Sequence, residues 1–148
     1  MNQFLELPTS GEADRLFPSL LDQSLVRPWR SDQPIPTAGV YIRIGVATWN
    51  RYDLRLLDVI AKSIADRNGQ PQLVQAFNIA GMHSDDLSAA IPGCGRVLQT
   101  PVVGVWRDGI LRDVSSGQPA RELIARMFGS SSDEIVQFVD QARKSAAS

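Results

Sequence analysis

The chain predicts an α/β fold in three layers, a central mixed sheet flanked by helices, and three observations carry that expectation. Two short, β-branched apolar runs, Val40-Tyr41-Ile42-Arg43-Ile44-Gly45-Val46 and Leu73-Val74-Gln75-Ala76-Phe77-Asn78-Ile79, enclose a stretch of helical periodicity. Strand, helix and strand in that order make a right-handed βαβ unit with parallel strands. Downstream, residues 102–106 and 110–114 flank Arg107-Asp108-Gly109, a three-residue loop with glycine where a left-handed conformation is usual, which predicts an antiparallel hairpin. Gly117 and Pro119 then open a helix, because proline suits a first helical turn.

Taken in order, residues 12–25 place Ala13, Leu16, Phe17, Leu20 and Leu21 on one helical stripe, with Pro18 expected near a helix start or at a kink. Residues 26–39 hold Pro28, Pro34 and Pro36 among polar neighbours, a composition that disfavours strand pairing and reads as a connector. The helix of the βαβ unit is expected over residues 53–67, with Leu54, Leu57, Ala61 and Ile64 on its apolar face and Asn68-Gly69 as its stop. Ser84 caps a short helix through Ala90 that Pro92-Gly93-Cys94-Gly95 ends. Leu123, Ile124 and Met127 mark the face of the helix after Pro119, and Ile135, Val136, Phe138, Val139 and Ala142 that of a last one over residues 132–143. Three parts follow: an N-terminal helix and connector (1–37), the main domain (38–129), and an additional C-terminal helix with a frayed end (130–148).

Fifteen Lys and Arg against sixteen Asp and Glu leave a net charge of −1, so nothing favours nucleic acid or an anionic membrane. The first residues form no basic leader with an apolar core, and no apolar run approaches the ~18 residues of a membrane span, which reads as a cytoplasmic protein. One cysteine and one histidine supply neither an internal disulfide nor a protein metal site, and no motif calls for a cofactor. Gly93-Cys94-Gly95 lacks the Lys and Ser or Thr of a phosphate loop.

Ala47-Thr48-Trp49 at the strand-to-helix mouth, Asn78-Ile79 closing the second strand, Thr100-Pro101-Val102-Val103 ahead of Arg107-Asp108-Gly109, and Gly117 before the closing helix together resemble the thioredoxin family, over roughly residues 38–128. The resemblance implies a cis bond at Pro101 beside the mouth of the first long helix, with the main chain of Thr100 offering N–H and C=O to an extended peptide. It also shows what is missing. Where the family carries Trp-Cys-Gly-Pro-Cys, this chain reads Trp49-Asn50-Arg51-Tyr52-Asp53, and disulfide exchange requires a thiolate. The family's buried carboxylate and lysine, which assist proton transfer, are matched by Ile44 and Ala76. Members without the cysteine pair include thioredoxin-like assembly proteins for bacterial hydrogenases; no motif of this chain singles them out.

Six residues form the candidate partner-binding site: Trp49, Asn50, Arg51, Tyr52, Thr100 and Pro101. Trp49 is either an exposed aromatic anchor or a lid packed over the helix mouth. Asn50 and Asp53 have the spacing of a capping box, and Arg51 and Tyr52 between them are either recognition residues or a solvated tip. His83 and Asp85-Asp86 read as a loop and a charged first helical turn. No catalytic residue is assigned.

The expected function is therefore non-catalytic binding of an extended segment of a partner protein, as adaptor, assembly factor or chaperone. Two alternatives stand beside it. Cys94 is the only thiol and would carry a monothiol or glutathione-linked redox activity, although as a lone cysteine it reads first as a small apolar residue. The last helix either folds onto the domain or forms the seam of a homodimer, which would make the protein a self-associating structural domain.

Overall fold

The computed structural model describes residues 4–9, 11–30, 33–66, 73–80, 82–94 and 99–128. In chain order these form α1 (Glu12–Asp22), β1 (Arg27–Pro28), β2 (Val40–Val46), α2 (Arg51–Asp66), β3 (Leu73–Asn78), α3 (Ser84–Ala90), β4 (Val102–Arg107), β5 (Ile110–Ser116) and α4 (Gln118–Phe128). The five strands make one mixed sheet in the order β1-β3-β2-β4-β5. β1 and β2 run parallel to β3, while β4 runs antiparallel to both β2 and β5. The parallel βαβ unit is β2-α2-β3, and the hairpin is β4-β5. The expected C-terminal helix and the Asn68-Gly69 stop lie outside the described residues.

Several local expectations change. Proline lacks an N–H and is costly in a helix interior, yet Pro18 sits well inside α1, neither at its start nor next to it. The stripe around it outweighs that cost: Ala13, Phe17 and Leu21 are buried, with Leu16 and Leu20 packed beside them. The connector is not strand-free, because Arg27 and Pro28 pair with Gln75 and Ala76 as a parallel edge. An edge strand bonds through one side only, so a proline fits there. The hairpin loop has two residues rather than three: Arg107 pairs with Ile110, and Asp108 (φ 53°) and Gly109 (φ 84°) both take positive φ, the primed turn that matches strand twist. Ser84 is the first residue of α3 rather than its cap; the N-cap is His83, which makes no capping side-chain bond.

Side-chain alternation divides the sheet into two faces. Ile42, Ile44, Val46, Val74, Ala76, Val103 and Val105 point into the larger core, filled by α1, α2 and α4. Phe4 and Leu7 join this core, so the N-terminal segment packs into the same interior as the sheet. Tyr41, Phe77, Val102 and Trp106 face the smaller core, closed by Leu87, Ala90 and Ile91 with Trp29 and Ile35 against them.

The smaller core contains a buried cation. Arg43 is 4 % exposed, its guanidinium 4.9 Å from the Trp106 ring centroid, 5.1 Å from that of Tyr41 and 5.5 Å from that of Trp29. Its Nε donates to the Tyr41 hydroxyl at 2.8 Å and its Nη1 to the Ala90 carbonyl at 2.6 Å, while that hydroxyl donates to Gln75 Oε1. Ring faces and carbonyl dipoles here supply what water supplies outside.

Candidate functional site

The chain leaves β2 at Val46 and enters α2 through a tight turn, in which the Asn50 N–H donates to the Ala47 carbonyl at 2.9 Å. Asn50 Oδ1 accepts from the N–H groups of Tyr52 (3.0 Å) and Asp53 (3.4 Å), so Asn50 caps the helix as its residue type implies. Its amide does a second job: Nδ2 donates to Thr100 Oγ1 at 3.2 Å. The Thr100-Pro101 bond is cis. Helix mouth and cis-proline loop are thus joined side chain to side chain.

The aromatics at this mouth face outward. Trp49 is 70 % exposed and Tyr52 42 % exposed, whereas Pro101 is buried and Thr100 half-buried. The open alternatives for Trp49 resolve toward the exposed one. Arg51 is turned the other way, donating to the Leu7 carbonyl at 2.8 Å and to that of Leu5, which binds the N-terminal segment to the start of α2.

Asp53 departs from the capping box. Its carboxylate does not reach back to Asn50; Oδ2 accepts from the Ala47 N–H at 3.2 Å, and the residue is fully buried. Oδ1 has no hydrogen-bond partner. Burial pushes the carboxyl from its ordinary 3.8 up to about 6, against the Thr100 side chain, the Ala47 N–H and the Arg121 charge, each of which favours the ionised form. Ile44 and Ala76 are indeed buried cross-strand partners without titratable groups. The helix nevertheless places a carboxyl group beside the cis-proline, where the sequence alone implies only a cap.

Behind the loop stands α4. Gly117 precedes it with φ 66° and donates its N–H to the Pro101 carbonyl at 2.9 Å; the Gln99 side chain fills the space a Cβ would need. Arg121 Nη2 donates to the Thr100 carbonyl at 3.1 Å and Nη1 to Gln118 Oε1 at 3.3 Å. Of the two main-chain groups expected to meet a peptide, the Thr100 carbonyl is therefore already engaged, while its N–H has no partner among the described residues. Among those residues four buried side-chain polar atoms lack a hydrogen bond, and three of them, Asp53 Oδ1, Gln118 Nε2 and Arg121 Nε, belong to this cluster.

Gln118, Arg121 and the burial of Asp53 were missed in the sequence. A signal existed for Asp53, which lies four residues before Leu57 and so on the apolar stripe of α2. None existed for Arg121, whose role depends on where the cis-proline loop lands.

The alternative thiol site is elsewhere. Cys94 is half-buried behind α3, with Sγ 3.8 Å from the Leu87 carbonyl, and burial pushes its thiol up, away from the thiolate. His83, Asp85 and Asp86 are exposed. Among the described residues no three His, Cys, Asp or Glu side chains gather as metal ligands, and no helix is long and apolar enough to cross a membrane. Compared with known family models and with curated protein sequences, the chain shows no significant match to either.

Proposed function

We propose that this chain is a thioredoxin-like protein without thiol chemistry, which docks an extended segment of a partner protein against Trp49, Tyr52 and the main chain of Thr100, acting as an adaptor, assembly factor or chaperone. The observation that carries this reading is the cis Thr100-Pro101 bond bridged to the α2 mouth by Asn50. The strand order and the exposure of both aromatics support it. Large exposed aromatics at a backbone-pairing point are the residues that carry interfacial energy.

The sheet edges favour the same place. β1 is two residues long and ends in a proline, and the β4-β5 ladder shifts register at Val105/Trp106, so neither edge is a regular template for strand addition. Thr100 has an N–H to give, and Asn50 and Arg121 fix its hydroxyl and carbonyl. Arg51, committed to the N-terminal segment, supports the site without being one of its contacts.

The test is a random peptide library panned against the full chain, followed by measurement of the strongest peptide on Trp49→Ala and Tyr52→Ala. The reading expects Trp49→Ala to weaken binding by about thirtyfold, the loss typical of a hot-spot aromatic. Peptides that ignore both substitutions would place the partner elsewhere.

A further inference from the structure

We propose that docking at this cleft is proton-linked through Asp53: the occupied cleft takes up a proton on the Asp53 carboxyl, and the partner binds more tightly in acid. The inference rests on the docking reading above. Its starting point is the cluster behind Thr100, where a fully buried carboxylate holds one oxygen on the Ala47 N–H and leaves the other unpaired. Among the described residues, Arg121 of α4 is the charged group that acts on it, and from the remaining elements it meets only the polar Ala47 N–H and the Thr100 side chain. The carboxylate of Asp14 on α1 accepts from Thr48 and from Asn78.

Thr100 couples this carboxyl to the surface. Its hydroxyl accepts from Asn50 at the mouth, its side chain favours the ionised Asp53, and its carbonyl is held by Arg121, the same residue whose charge steadies that carboxylate. A segment lying over Trp49 and pairing with Thr100 removes water from the mouth of the site. Removing water disfavours the charged form of a buried acid, so the proton affinity of Asp53 rises in the complex. Linkage is reciprocal: a site that holds its proton more tightly when occupied is occupied more readily when protonated. A proton on Oδ1 also converts an acceptor without a donor into a donor.

The experiment uses the full chain and a histidine-free, end-blocked peptide from the panned library, one whose binding falls on Trp49→Ala. Its affinity is followed by fluorescence anisotropy from pH 5 to pH 8 on wild type, Asp53→Asn and His83→Gln, the last removing the chain's one histidine. Wild type and His83→Gln are expected to weaken by about tenfold for each pH unit by which docking lifts the Asp53 midpoint, and Asp53→Asn to stay flat within about twofold. Carboxyl-carbon NMR of Asp53 with and without peptide reads the same linkage and needs no variant: its midpoint rises on binding. An affinity that is constant with pH, or a slope that survives in Asp53→Asn, overturns the linkage and leaves the docking site standing. Failure of the library to yield any peptide sensitive to Trp49→Ala removes both.

Discussion

Asp53 and Asp58 lie on one helix, a turn and a half apart, both buried and both with a carboxyl lifted by loss of water, yet the protein treats them differently. Asp58 accepts from the N–H groups of Phe4 and Leu5, each at 2.9 Å, so both its oxygens are engaged and a chain segment more than fifty residues away is pinned to α2. Asp53 has one main-chain donor and one bare oxygen, at the mouth of the helix against the cis-proline loop. A satisfied buried carboxylate is explained by the structure it holds together. An unsatisfied one destabilises the fold around it, and such residues concentrate where something other than stability is selected.

The largest effect tests the first half of that contrast. Asp58→Ala strands one buried and one half-buried N–H group and releases the segment that brings Phe4 onto Phe17, where the rings stand 5.9 Å apart. With ~1–3 kcal/mol for each stranded donor, urea unfolding is expected to show a loss of about 4 kcal/mol. A loss under about 1 kcal/mol would mean that the segment is held by Arg51 and apolar contact alone.

Asp53→Asn is expected to act in the opposite direction. The folded-state carboxyl titrates at about 6 against 3.8 when unfolded, so its contribution is fully present below pH 4, is lost as pH rises through 6, and is absent above. The neutral amide escapes that loss. At pH 8 the variant should be more stable than wild type by about 2–3 kcal/mol, at ~1.4 kcal/mol for each pH unit between the two midpoints, and at pH 4 the two should nearly coincide. The wild-type difference between these pH values also contains Asp58, so the comparison is made variant against wild type at each pH. Equal stability at pH 8 would show that Asp53 is compensated as well as Asp58 is.

How much of this contrast was legible beforehand follows from which forces act locally. Strands β2 to β5, the βαβ unit and α4 came from periodicity and turn residues, signals written within a dozen positions. The two-residue strand β1 did not, because Arg27 and Pro28 pair only once β3 is beside them. Asn50 was readable as a cap, since capping is satisfied by the next three residues. Asp53, three positions on, has the spacing of its reciprocal partner, and tertiary packing puts it inside instead, on the stripe that Leu57 occupies. Arg51 at a helix mouth looks like a solvated tip; its partners, the carbonyls of Leu5 and Leu7, are more than forty residues away.

A smaller effect separates the helix cap from the bridge to Thr100. Asn50→Asp keeps the capping oxygen and replaces the amide donor with a second acceptor, facing Thr100 Oγ1 and near the Asp53 carboxylate. Helix capping is preserved, so the stability change at pH 5 should stay within about 0.5 kcal/mol. At pH 8, two carboxylates at one helix mouth disfavour ionising the second, and the Asp53 midpoint should move higher. Asp58, farther along the helix and held by the N–H groups of Phe4 and Leu5, should keep its titration unchanged in the same spectra.

The smallest change is on Arg121, and it asks whether the cluster behind Thr100 acts on Asp53 as charge or as packing. Against the burial that disfavours it, the ionised form of Asp53 is favoured by Thr100, then the Ala47 N–H, and least by the Arg121 guanidinium. Arg121→Gln keeps a donor for the Thr100 carbonyl and removes the charge. Carboxyl-carbon NMR should then find the Asp53 midpoint raised by less than about one pH unit, with that of Asp58 unmoved. Arg121→Lys retains the charge on a flexible stem and should leave the Asp53 midpoint near its wild-type position while loosening the grip on Thr100. If both substitutions moved Asp53 equally, the charge would be irrelevant, and the difference between the two aspartates would come down to the count of main-chain donors each one has.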